Sequence, residues 1–142
     1  MSSHARFPSA LAALVLLGCP VADAAAPPNE AGLAKPQQVL SETVEQMPRG
    51  ERQQVRVFTA TFQPGDRTVF HTHRSPVTVY VLEGEFTLEL EGRAPMVVRA
   101  GQAYVEPPRI AMTGFNRSAT APLKVVIFYV SDPATPFLDP VR

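Results

Sequence analysis

Gly84, Gly92 and Gly101 fall eight and nine residues apart, and each separates two runs with a strand-like pattern. Phe86, Leu88 and Leu90 alternate with Glu85, Thr87, Glu89 and Glu91, the period of a strand with one face in water. Gln54 to Phe62 is rich in Val, Thr and Phe, as strands are. Thr78 to Leu82 and Leu123 to Val130 are near-continuous apolar runs, a pattern that predicts burial on both faces. Helices have little room. No stretch carries a helical stripe, and an interior proline removes a backbone donor and clashes with the preceding turn. The 15 prolines of this 142-residue chain are about twice ordinary usage. Evenly spaced turn glycines between short strands predict an all-β antiparallel sandwich or barrel. A chain of this length is one domain, and residues 133–142, with Pro133, Pro136 and Pro140, read as an irregular C-terminal tail.

The first residues read as an address rather than as structure. Arg6 precedes an apolar stretch from Phe7 to Cys19, and Ala22-Asp23-Ala24 supplies the small-x-small pattern that signal peptidases cut. A leader over residues 1–24 is therefore predicted, followed by a flexible linker over 25–35 and the folded domain over 36–132. Leu16-Leu17-Gly18-Cys19 also resembles a lipobox, in which Cys19 would carry a lipid anchor. Either reading places the protein outside the cytoplasm, in the periplasm or cell envelope. About a dozen apolar residues are too few for the roughly 20 of a spanning helix, so no transmembrane span is expected in the mature form. Cys19, the single cysteine, cannot form an intramolecular disulfide. Lys and Arg number 13 and Asp and Glu number 13, a balance that argues against a nucleic-acid partner.

Chemistry has few candidates. Of the three histidines, His4 leaves with the leader, and His71 and His73 stand two apart. In a strand such a pair points to one face, as chelating imidazoles must. Glu83, Glu85, Glu89 and Glu91 flank a hairpin and read as a solvated sheet face rather than as acid/base pairs. Tyr80 and Tyr104 could each bring a hydroxyl to a pocket while packing with a wet tip.

The string from Gly65 through His71-Thr72-His73 to Tyr80-Val81-Leu82-Glu83-Gly84 resembles the first motif of the cupin family. Gly101, Pro107, Met112 and Asn116 follow with the spacing of the second, which runs glycine, five residues, P-x-G, two residues, histidine, three residues, asparagine. The resemblance spans about residues 50–132 and implies a jelly-roll barrel (a double-stranded β-helix), often dimeric, with a pocket in its mouth. Residues Gln37 to Thr43 are a candidate strand for such a dimer. Metal-bearing cupins place two His and a Glu from the first motif and one His from the second in that pocket. Here His71 and His73 match, Val77 stands at the glutamate position, Met112 at the late histidine, and Arg109 at the glycine of P-x-G.

That shell leaves several functions open. One is a small-molecule-binding or accessory barrel whose pocket contains His71, His73, Val77, Tyr80, Arg109 and Met112. Another is a dioxygenase- or isomerase-like metalloenzyme with a divalent metal on His71 and His73. A third is a Cu(I) protein using His71, His73 and the thioether of Met112, a soft ligand. Met112 has an alternative role as filler for the space of an absent imidazole. Arg109, if it overhangs the mouth, offers a bidentate fork to a carboxylate or phosphate. Gly65, Gly84, Gly101 and Asn116 are expected to shape turns.

Overall fold

The computed structural model describes residues 32–142. The leader over 1–24, Cys19 and most of the 25–35 linker lie outside them. The folded body runs from Pro36 to Arg142. Its strands are β1 (Gln54–Phe62), β2 (His71–Thr72), β3 (Val77–Glu83), β4 (Glu85–Leu90), β5 (Met96–Arg99), β6 (Ala103–Glu106), β7 (Met112–Phe115), β8 (Leu123–Ser131) and β9 (Asp139–Pro140). They form two antiparallel sheets, one in the order β1-β8-β3-β6 and the other β5-β4-β7-β2-β9. This is the expected all-β jelly roll, with inward side chains of both sheets forming the core.

Alternation explains what each strand contributes. On β3, Val77, Val79 and Val81 are buried while Thr78 and Tyr80 between them are not. Phe86, Leu88 and Leu90 of β4 meet them across the interior, with Leu123, Val125 and Tyr129 of β8. Burial on both faces does not hold for the two apolar runs. Leu82 and Phe128 are exposed, as are Val55 and Val57 of β1, because the outer face of this sheet is uncovered in the chain.

The corner at Gly84 shows why the turn glycines recur. Its φ is +78°, and a Cβ there would lie 2.5 Å from the Pro122 carbonyl oxygen. A side chain at that corner would collide with the loop entering β8. Asn116 performs the other motif role expected of it. Buried, it donates from Nδ2 to the carbonyls of Phe62, Gln63 and Ala121 and accepts the Ser118 N–H on Oδ1. One side chain thus joins the ends of three segments.

Three local expectations are corrected. Gln37 to Thr43 forms no strand and is exposed. The histidine pair is only half in a strand, since β2 ends at Thr72 and His73 lies just beyond it. The C-terminal tail is not irregular throughout: Thr72 pairs with Asp139 and His71 with Pro140, and the Val141 N–H donates to Phe70 O at 2.9 Å. The tail adds a short edge strand, and Pro140 is tolerated because an edge has no further partner to bond.

Candidate functional site

His71 lies in β2 and His73 one residue beyond it, and both are buried, His73 at 1% exposure. Their Nε2 atoms are 3.1 Å apart and the rings stand nearly edge to face. Each Nδ1 is committed to a backbone carbonyl, His71 to Val69 O and His73 to Phe137 O, both at 2.7 Å. A carbonyl only accepts, so each Nδ1 carries its proton. In neutral rings the two Nε2 atoms would then present lone pairs to each other. That arrangement repels unless something positive lies between them.

The carboxylate absent from position 77 arrives from the neighbouring strand. Val77 pairs in register with Glu106 of β6, and paired residues face the same side of a sheet. Glu106 is 5% exposed, and its Oε2 lies 3.2 Å from His73 Nε2. The sequence reading missed it. Its neighbour Val105 is also buried, so the strand shows no clean alternation, and the carboxylates singled out instead are surface groups. Glu85 pairs with Arg99 and Glu89 with Arg117, both in solvent. The available signal was the position of Glu106, an acid directly before Pro107 of the second motif.

His71, His73 and Glu106 form a chain of contacts rather than a ready three-ligand ring; among the described residues no three His, Cys, Asp or Glu side chains already surround one point. Burial holds His71 below the usual histidine value, the Val69 hydrogen bond pulls it back up, and His73 lowers and Glu106 raises it further. The enclosed space beside them is about 50 Å³, bounded by apolar groups that include Phe86, Val125 and Phe137. Water occupies about 30 Å³ in the liquid, so this space suits an ion or a water rather than an organic molecule. The Tyr129 hydroxyl is buried with no hydrogen-bond partner among the described residues, and its ring centroid is 5.9 Å from that of His73.

The other candidates divide. Val77 faces inward with Glu106 and Tyr129. Met112 is fully buried in register between Leu90 and His71, and it belongs to the hydrophobic core rather than to the lining of the histidine cavity. Tyr80 lies on the opposite face of β3 from Val77 and Val79, outside the cavity. Arg109 is also outside it. Its N–H donates to His73 O at 2.8 Å, its φ is +61°, and its side chain is exposed. The left-handed backbone explains why a glycine suits this turn.

The C-terminal segment closes the interior. Phe137 packs against Phe58 with the rings tilted and 4.6 Å apart, lies 5.1 Å from His73 and 5.6 Å from Tyr129, centroid to centroid, and gives His73 its carbonyl. Arg74 holds Asp139 in a two-point bond at 2.7 and 2.8 Å.

Residues 58–129, just over half of the chain, match the family described as Cupin domain. No curated protein matches in sequence. A cupin-like protein from Thermotoga maritima superposes with a TM-score of 0.53 at 19% identity, over 61% of this chain and 64% of that one. The DMSP lyase DddQ from Ruegeria pomeroyi gives 0.53 at 18% identity, over 61% of this chain and 43% of its own. YhaK from Escherichia coli gives 0.51 at 17%, over 61% and 41%. The chain spans less than two thirds of each of these proteins, and identities at this level report the fold alone.

Proposed function

Because this chain belongs to the cupin family, we propose that it is an exported barrel that holds one divalent transition-metal ion through His71, His73 and Glu106. The observation that carries this reading is the pair of imidazoles facing each other at 3.1 Å with both outer nitrogens already committed. A cation removes the repulsion, and the buried Glu106 carboxylate supplies the charge that two neutral imidazoles lack. The separations of 3.1 and 3.2 Å suit neighbouring ligands bound to one ion at about 2.0–2.2 Å. Carbonyls behind both rings fix their tautomer and orientation, as the outer partners of metal-bound histidines do. Imidazole and carboxylate donors fit zinc, iron or nickel better than Cu(I), and Met112 spends its side chain on the core. When bound, such an ion supplies a Lewis acid in a water-poor interior. Export rests on the sequence pattern of residues 1–24.

Metal analysis of untagged protein after incubation with Zn²⁺, Fe²⁺ or Ni²⁺ tests this reading. Near-stoichiometric metal, lost in His73→Ala and bound about tenfold or more weakly in Glu106→Gln, is the expected result. Protein that takes up none of these ions, with unchanged thermal stability in their presence, would overturn it. His71, His73 and Glu106 would then be a buried polar network rather than a metal site.

A further inference from the structure

A second concave site lies outside the barrel, and its walls are strained. It is a groove of about 390 Å³, bounded among others by Gln46, Arg49, Arg74, Arg109, Asp132 and Thr135. Gln46, Arg109 and Ala134 have φ of +61°, +61° and +63°, and they are the non-glycine residues with left-handed backbones among those described. Two line the groove directly, and Ala134 lies between Asp132 and Thr135, which do. Each such residue costs about 1–2 kcal/mol relative to a relaxed backbone. Backbone strain of this kind gathers at functional sites, where the surrounding structure holds it in place.

The strain supports a cationic surface. Arg74 is fixed by its two bonds to Asp139. Arg49 and Arg109 have no ion-pair partner among the described residues. Arg49, Arg74 and Arg109 line the groove beside one carboxylate, Asp132, and Asp139, outside the lining, compensates Arg74, so one positive charge is left over. The far wall is rigid, because Arg56 donates to both Ser131 Oγ at 2.9 Å and Thr135 O at 2.8 Å. A glycine at position 109 would relieve the strain but would also delete a guanidinium from the groove.

We propose that this groove binds a small organic oxyanion, a carboxylate or phosphate, held by Arg49 and Arg109, with Arg74, fixed on Asp139, in the wall beside them. Guanidinium forks match such groups with paired, charge-assisted hydrogen bonds. Sites for small organic ligands begin at about 300 Å³, a size the groove reaches and the histidine cavity does not. Asp132 on the same wall accepts a hydroxyl or ammonium of the ligand and disfavours a second anionic group beside it.

Titration of the mature protein with inorganic phosphate and with lactate, a hydroxy monocarboxylate, followed by calorimetry or amide chemical shifts, tests the proposal. At least one probe should saturate at millimolar concentration or below, and which one does identifies the oxyanion. Arg49→Gln and Arg109→Gly should each weaken binding about tenfold or more, as the loss of a charge-assisted contact implies. Added salt should weaken it as well. Arg109→Gly places the residue its backbone favours, so misfolding cannot explain its loss. His71→Ala/His73→Ala should bind the probe normally, which separates this site from the metal reading. Absence of saturation by either probe, wild-type affinity in both arginine variants, or loss of binding in the histidine variant would each overturn the proposal.

Discussion

Replacing Glu106 with glutamine is the most informative perturbation of the interior. The change keeps size, removes the charge and exchanges one acceptor oxygen for an NH₂ donor. In metal-free protein Glu106 Oε2 lies 3.2 Å from His73 Nε2, a separation at which a unit charge pair would attract by about 5 kcal/mol at an effective dielectric of about 20. Desolvation of two groups at 5% and 1% exposure offsets much of that. Removing one partner nonetheless strands the other, which costs about 3–5 kcal/mol in comparable buried pairs. Glutamine can still hydrogen-bond His73, so the lower end applies. A loss of about 3 kcal/mol should lower the melting temperature by roughly 10–20 °C. Urea and thermal unfolding of untagged, chelator-treated protein would measure it. The register adds a second arm. Since Val77 and Glu106 are paired on one face, the swap Val77→Glu/Glu106→Val should recover at least about 1 kcal/mol relative to Glu106→Val alone. Glu106→Gln within about 0.5 kcal/mol of wild type, or a swap no better than the single change, would refute the role given to this carboxylate.

Arg109→Gly should raise stability by about 0.5–1 kcal/mol, the left-handed strain relieved less the extra freedom of the unfolded glycine, measured by urea unfolding. Phe137→Ala should cost about 2–4 kcal/mol and speed amide exchange at His71 and Thr72, because the ring clamps the C-terminal segment over the histidines. In chelator-treated protein, unfolding at a series of pH values should show stability falling as pH drops below about 6.5, the ordinary histidine value. Burial lowers His71 in the folded state, so the unfolded chain binds the proton first; its contribution is present above that pH and is lost down through the lowered folded value.

Local pattern was enough to establish the architecture. Phe86, Leu88 and Leu90 cannot alternate with glutamates in any element that buries them except a strand, and Gly84 marks the corner where its neighbours must turn. The spacing of His71 and His73 likewise put both rings on one side before any partner was known, because side chains two apart share a face. What the spacing left open was their company. Glu106 reaches His73 only because β6 pairs with β3 in the register that sets it opposite Val77. A shift of one position would turn its side chain to the other face. The tail depended on folding in the same way. Phe137 becomes the lid of the interior because Asp139 and Pro140 add to the edge beside His71, residues more than sixty positions away. Period and turn chemistry are written along the chain, whereas register and edge pairing arise from contacts between distant segments, and those contacts set the charge and closure of the site.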